Sequence, residues 1–235
     1  MRSSDPRLVR EQYASEGNLR ARKALYEEVS GENAPDVLWR VLQEWKPRRV
    51  LEVGGGQGEL AERVVRELGA SLSFVDQSER MVELARARGL DAQLGDVQHL
   101  PFPDGTFDTA VAAWMLYHVP DVDRALGELA RVLEPGGALF AATNSERHLE
   151  ELRSLIGVDM ADLVSGFNSE NGEALLRRHF AQVERLDLEL EVTVRERATL
   201  VAYRESLSTP SHPVPDEVPL PFLLHARSSI FFATT

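Results

Sequence analysis

Residues 50–58 read Val50-Leu51-Glu52-Val53-Gly54-Gly55-Gly56-Gln57-Gly58, a short apolar run followed by four glycines in five positions. An apolar run bounded by turn residues is typical of a buried parallel strand. The glycines predict a tight turn, because glycine has no Cβ to obstruct a sharp bend or a close ligand. Residues 59–68 then have an amphipathic helical pattern. This order of strand, glycine turn and helix is the usual opening of a nucleotide-binding α/β sheet.

The spacing of the glycines bears on which nucleotide the turn could hold. A dinucleotide fingerprint, G-x-G-x-x-G, that begins at Gly54 would place its third glycine at position 59, which is Glu59. The chain instead has an acid on the strand, Glu52, two residues before Gly54. The pattern therefore argues against an NAD-binding turn, and on this stretch alone a purely structural glycine turn stays open.

The composition limits the chemistry that the chain can perform. Its 235 residues, 43% of them hydrophobic, suffice for one α/β domain with a substantial core. The absence of cysteine excludes disulfides, thiolate zinc sites, cysteine-ligated iron–sulfur clusters and cysteine nucleophiles. No stretch approaches the ~20 consecutive apolar residues of a membrane span, and the first residues lack the apolar core of a signal peptide. We therefore expect a cytoplasmic protein.

The net charge of −12 is unevenly distributed. Residues 1–49 carry ten Lys and Arg against eight Asp and Glu, whereas residues 50–235 carry sixteen against thirty. Binding to nucleic acid depends on basic side chains that neutralise phosphates, so the acidic body disfavours a nucleic-acid partner. Small molecules, which need no basic field, are the expected ligands.

Strands and helices alternate after the glycine turn, which predicts a parallel, doubly wound sheet. A proline-rich stretch between residues 210 and 221 predicts an extended loop. The apolar runs predict strands at 50–53, 72–76, 92–96, 107–115, 138–143, 183–194 and 227–233. The helical patterns predict helices at 7–30 with a break at Gly17 and Asn18, and at 36–45, 59–68, 78–88, 121–133, 145–156, 172–180 and 198–207.

Several motifs together resemble class I S-adenosylmethionine-dependent methyltransferases, in particular the small-molecule, type 11-like family. The resemblance extends over residues 45–145 and implies S-adenosylmethionine as the cofactor. It also implies a Rossmann-like, mostly parallel seven-stranded sheet with an antiparallel last strand and a helical cap. The motifs are Glu52-x-Gly54-x-Gly56-x-Gly58, Asp76 at a strand end, Gly95-Asp96-Val97 followed by Leu100-Pro101-Phe102, and Glu134-Pro135-Gly136-Gly137.

The resemblance assigns roles to individual residues. Asp76 would accept hydrogen bonds from the ribose hydroxyls, as the acid does in dinucleotide folds, and Asp96 would meet the adenine amino group. Met81 would pack on the adenine, although its helical spacing fits a core position equally well, and Asp96 could instead cap a turn. The full implied set of cofactor-binding residues is Glu52, Gly54, Gly55, Gly56, Gly58, Asp76, Gln77, Met81, Gly95, Asp96, Val97, Ala113 and Trp114.

The end of the predicted strand 107–115 bears on the reaction. Nucleic-acid amino-methyltransferases have a polar residue and two prolines there, whereas this chain has Ala112-Ala113-Trp114-Met115. The acids or amides that would hold magnesium are also missing at this point, so no metal is expected. His118 follows the strand and is a candidate general base for an acceptor that must lose a proton. The alternative is that His118 orients the loop before Asp121.

We therefore expect methyl transfer to a small organic acceptor by in-line displacement, with Tyr13 and Tyr117 as candidate substrate contacts. Two other functions stay open: a ribosomal or transfer RNA base methyltransferase, and a cofactor-binding protein without catalysis. A membrane partner is not expected, and the sequence does not define the oligomeric state. The expected single domain over 1–235 comprises an N-terminal helical cap at 1–45, a cofactor-binding core at 46–143, cap insertions at 144–171 and 195–221, and segments at 172–194 and 222–235 that complete the sheet.

Overall fold

The computed structural model describes residues 17–158, 166–207 and 211–235. Within these residues the chain forms one mixed sheet flanked by helices. The strands are β1 (Val29–Ser30), β2 (Arg49–Val53), β3 (Ser71–Asp76), β4 (Asp91–Leu94), β5 (Phe107–Ala113), β6 (Leu133–Asn144), β7 (Gln182–Val194) and β8 (Phe222–Thr234). The helices are α1 (Gly17–Ala24), α2 (Ala34–Trp45), α3 (Glu59–Arg63), α4 (Glu79–Ala87), α5 (Val122–Val132), α6 (Glu150–Ile156), α7 (Gly172–Leu176) and α8 (Arg197–Glu205).

The strand order across the sheet is β1-β7-β8-β6-β5-β2-β3-β4. Strands β2 to β6 pair in parallel, and β8 pairs antiparallel with both β6 and β7. Because two antiparallel pairings restore the direction, β7 runs the same way as the parallel strands. The predicted doubly wound sheet with an antiparallel last strand is confirmed.

The sheet has one strand more than the predicted seven. Val29 and Ser30, which the sequence pattern assigned to a helix over 7–30, pair antiparallel with Val192 and Glu191 at the edge of the sheet. The described part of that helix, α1, ends at Ala24, and residues 7–16 lie outside the described residues. Pairing with a distant strand satisfies backbone groups that the local pattern does not reveal.

Other element ends differ from prediction because tertiary contacts intervene. The predicted helix 145–156 begins only at Glu150, since the backbone of Ser145 and of Leu149 is bonded to β8. The predicted strand 107–115 ends at Ala113, because Trp114 adopts a left-handed conformation with φ 54°. Helix α7 is also shorter than the predicted 172–180, and β4 ends before Asp96.

Apolar side chains on alternate strand positions pack against helices on both faces of the sheet. Leu51 and Val53 of β2 belong to the cluster that contains α5, whereas Val50 belongs to the cluster that contains α2 and α4. This is the period-two alternation of a strand. A third cluster joins Leu25, α6 and α8 to the second half of β7 and the first half of β8. In the described ranges, no helix has the length and apolar character needed to cross a membrane.

Candidate active site

A cleft lies at the carboxyl ends of β2, β3 and β5. Ligands bind at this edge in doubly wound sheets. The sequence-predicted site residues that line the cleft are Gly54, Gly56, Asp76, Gln77, Met81, Gly95, Asp96, Val97, Trp114 and His118. The fold therefore brings together residues from the glycine turn, from the ends of β3 and β4, and from the exit of β5.

Other predicted site residues are near the cleft but are not part of its wall. Gly55 covers the side chain of Glu52, since a Cβ on Gly55 would lie 2.5 Å from the Glu52 carboxyl carbon. Gly58 packs against Leu90, and Ala113 ends β5. Tyr117 stands next to His118, with 4.5 Å between ring centroids, and Tyr13 lies outside the described residues.

The glycine turn is fixed to the end of β3 by Asp76. The Asp76 carboxylate accepts backbone hydrogen bonds from Gly56, Gln77 and Ser78, the last at 2.9 Å. Gly56 has φ 60°, and a Cβ built on it meets no atom within 4 Å. Because Gly56 lines the cleft, that free space belongs to the cleft. A side chain at this position would enter it.

Glu52 is a buried acid beneath the same turn, with 2% of its surface exposed. One carboxyl oxygen accepts a hydrogen bond from the Ala61 backbone, and Oε2 has no partner among the residues that the structure describes. Burial, and then the nearby charge of Asp76, raise the pKa of Glu52 to about 8. A buried acid with an unused oxygen and an acidic neighbour fits a cationic ligand group. S-adenosylmethionine carries such groups, its ammonium and its sulfonium.

Asp96 also lines the cleft, from the loop after β4. It accepts hydrogen bonds from the backbone of Gln98 at 2.9 Å and from the Gln98 side-chain amide at 3.0 Å. The Gln98 carbonyl oxygen in turn accepts from the backbone of Asp121, 3.1 Å away, at the start of α5. Gln98 therefore links Asp96 by hydrogen bonds to the start of α5. Met81 is both buried and part of the wall, so its two predicted roles are compatible.

Trp114 leaves β5 in a conformation that is rare for a large side chain. Its φ is 54°, which costs roughly 1–2 kcal/mol for a residue with a Cβ. Its backbone donates to Ala142 at 2.7 Å, and its indole Nε1 donates to Asn144 Oδ1 at 3.1 Å. Ser228 donates to the same Asn144 oxygen at 3.0 Å. These contacts hold the indole beside the cleft.

Seven wall residues were not among those predicted. Val53, Val75 and Ser78 adjoin predicted residues in the chain, so each motif could have been extended by one or two positions. Gln98, Met115, Val119 and Pro120 come from loops, whose approach to the cleft depends on tertiary packing. The complete set is Val53, Val75, Ser78, Gln98, Met115, Val119 and Pro120.

Electrostatics of the buried acids predict how stability depends on pH. Folded Glu52 and Asp76 have pKa values raised to about 8 and about 6 from ordinary values of 4.5 and 3.8. Across this interval the folded chain holds protons that the unfolded chain has released. The free energy of unfolding of the cofactor-free protein should therefore fall as the pH rises from about 5 to about 8, by up to about 1.4 kcal/mol per pH unit for each proton.

Urea denaturation at both ends of that pH range measures the fall in stability. In the Glu52→Gln variant, the free energy of unfolding should fall less steeply with pH, because the amide does not titrate. Exposed Glu59 on α3 offers the control substitution, Glu59→Gln. A fall of the same steepness in Glu52→Gln and wild-type protein would contradict the assignment to Glu52.

The sheet, the glycine turn and the two acids define an α/β protein with a cleft at the carboxyl ends of its parallel strands. Residues 51–141 match a family model described as a methyltransferase domain. The chain is 36% identical over 121 residues to the methyltransferase GfsG of Streptomyces halstedii, and 39% identical over 116 residues to a demethylmenaquinone methyltransferase of Thermus thermophilus. The two alignments cover 48% and 44% of this chain and 44% and 53% of those relatives. The chain thus spans about half the length of the curated relatives it matches.

Solved structures share the fold over most of the chain. The structure titled as the [4+2]-cyclase SpnF has a TM-score of 0.63 at 23% identity, covering 96% of this chain and 94% of that one. Residues 51–141 are thus similar to methyltransferase domains, and this similarity implies S-adenosylmethionine as the cofactor. The resemblance drawn from the sequence motifs is confirmed. In the described part of the chain, no three His, Asp or Glu side chains are grouped as metal ligands would be.

Proposed function

We propose that the protein transfers a methyl group from S-adenosylmethionine to a small organic acceptor by in-line displacement. The observation that supports this is a single cleft lined by Gly56, Asp76 and Asp96 on the cofactor side and by Trp114 and His118 at the exit of β5. The bound cofactor supplies a methyl group already activated on a sulfonium. The residues of the chain then have to bind, orient the acceptor and exclude water.

In this proposal, different residues of the cleft bind different parts of the cofactor. Glu52 and the turn at Gly54 and Gly56 hold the methionine part, and the unpartnered oxygen of Glu52 suits its cationic groups. Asp76 and Gln77 hold the ribose. The adenine is bound by Asp96, Val97 and Met81. His118 accepts a proton when the acceptor loses one.

The acceptor side is formed, we propose, by the cap segments 1–45, 144–171 and 195–221. Their described parts are in contact, since Arg22 of α1 donates to the Ser206 backbone after α8 at 2.8 Å. Relatives named as a demethylmenaquinone methyltransferase and as ubiquinone/menaquinone biosynthesis C-methyltransferases support a small-molecule acceptor. The acidic body disfavours RNA.

Radiolabelled methyl transfer tests the proposal. The purified protein is incubated with labelled S-adenosylmethionine and either a small-molecule cell extract or total RNA. Label should enter the small-molecule fraction only. Label in RNA would replace the proposal with base methylation, and S-adenosylhomocysteine binding without transfer to either fraction would indicate a cofactor-binding protein without this activity. The Gly56→Val variant, which should not bind the cofactor, is the negative control.

A further inference from the structure

The first half of β7 forms an exposed edge of the sheet. Among the described residues, β1 is the strand that pairs with the outer side of β7, and its register partners are Val192 and Glu191. Residues 184–187 are exposed. Sheet edges commonly avoid further pairing through bulges and prolines. The ladder between β7 and β8 has neither, since its register is continuous and residues 182–194 contain no proline.

The direction of the backbone groups along this edge follows from the contacts of β1. The Thr193 backbone N–H donates to the Glu28 carbonyl at 3.0 Å, so Thr193 directs its backbone groups outward, away from β8. Backbone direction alternates along a strand, and therefore Arg185 and Asp187 also direct their N–H and C=O groups outward. Two outward-facing residues that oppose each other in an antiparallel pair exchange two hydrogen bonds. The edge thus has the backbone groups that a further strand needs.

An apolar groove lies beside this edge, between α2 and the end of the sheet. Leu186 lines the groove and is 43% exposed. The groove is also lined by two side chains of α2 and two of β8, namely Val41, Trp45, Ile230 and Phe232. An exposed apolar side chain next to outward-facing backbone groups fits a partner strand that brings an apolar side chain to the same place.

The charged side chains on the other face of the strand favour a second copy of β7 as that partner. In an antiparallel pair with its two-fold axis at Leu186, Arg185 of each copy lies opposite Asp187 of the other copy. A shift of two residues places Arg185 opposite Arg185 in one direction and Asp187 opposite Asp187 in the other. Like charges directly opposite each other destabilise a strand pair. The charges of this edge therefore select one register, in which Leu186 of each copy also faces Leu186 of the other.

We propose that two copies of the chain pair antiparallel through residues 184–188 of β7 and so extend the sheet across a two-fold axis. The ladder ends before Leu190, because Gly31 lies beside β7 there: a Cβ on Gly31 would be 3.2 Å from the Glu189 carbonyl oxygen. An interface of five residues from each copy is small, so the dimer is weak and depends on concentration. None of these residues lines the cleft, and the proposal is independent of methyl transfer.

Sedimentation velocity of the full-length protein measures the dimer, over concentrations from about 1 µM to about 1 mM at roughly 0.15 M salt. The wild-type protein should change from monomer to dimer across this range. Leu186→Arg places like charges opposite each other at the two-fold axis and should raise the dissociation constant more than about tenfold. Leu223→Arg is the matched control, because Leu223 is also 43% exposed but lies on β8, outside the paired residues. This variant should dimerise as the wild type does.

Charge variants test the register. Arg185→Asp leaves two acids at the edge and Asp187→Arg leaves two bases, so neither variant should pair with itself, whereas their mixture should form a mixed dimer within about threefold of the wild-type affinity. Both positions are exposed, and circular dichroism checks that the variants fold. A wild-type protein that stays monomeric, or a dimer that Leu186→Arg leaves intact, overturns the proposal. A mixture that does not associate while the wild type does overturns the register.

Discussion

Gly56→Val should abolish detectable binding of S-adenosylhomocysteine. Gly56 lines the cleft at φ 60°, and its missing Cβ would point into space free of protein atoms within 4 Å. A branched side chain there would fill the position of the cofactor, and it would also disturb the backbone hydrogen bond from Gly56 to Asp76. We expect affinity to fall by more than about a hundredfold, or about 2.7 kcal/mol, in isothermal titration.

Gly69→Val is the matched control for this substitution. Gly69 has a similar φ of 67° and equally open surroundings, but it lies in the turn before β3 and not in the cleft. Both variants should therefore lose roughly 1–2 kcal/mol of stability through backbone strain. Only Gly56→Val should lose the ligand. Comparable loss of binding in both variants would mean that strain, and not occupation of the cleft, is responsible.

His118→Ala should lower kcat by about a hundredfold or more if the acceptor loses a proton during transfer. His118 lies in the short 3-10 turn Leu116–His118, directly after the exit of β5, and its side chain lines the cleft beside Trp114. The affinity for S-adenosylhomocysteine should change by less than about threefold, because His118 is not among the cofactor contacts proposed above. Initial rates across pH and isothermal titration measure the two quantities.

His179→Ala is the corresponding control. His179 has a carboxylate partner, Asp123 at 3.0 Å, and is not part of the cleft wall. This substitution should leave kcat and its pH profile unchanged. If His118→Ala turns over the native acceptor at the wild-type rate, then His118 serves only to orient the loop before Asp121.

The part of the cleft formed by the glycine turn and the ends of β3 and β4 could be predicted because each of its signals is local. The turn after β2 needs glycines for its backbone, and the acids at positions 76 and 96 follow strands that the apolar runs reveal. The helix cap at Ser78 is equally local, since its hydroxyl accepts from the Met81 backbone three residues later. Parallel topology then brings these short motifs to one edge of the sheet.

The contacts around the cap segments and the exit of β5 depend on pairs of residues far apart in the chain, which no local pattern reveals. Tyr26 and His148 are separated by 122 positions. The residues next to Trp114 in the sequence do not predict its left-handed backbone conformation. Its indole donates a hydrogen bond to Asn144, and Ser228 donates to the same Asn144 oxygen. Residues 29 and 30 likewise become β1 only because β7 offers an unpaired edge.

The position of β8 has a consequence for the order in which the protein is made. β8 follows every other strand in the chain, yet it lies between β6 and β7. On the ribosome, the contiguous strands β4-β3-β2-β5-β6 can assemble first, with the cofactor cleft among them. Until β8 emerges, β7 can pair only with the two-residue strand β1, and β6 keeps an open edge. A nascent chain from which β8 has not emerged would expose that edge to pairing with another chain, whereas emergence of β8 allows the edge to be covered.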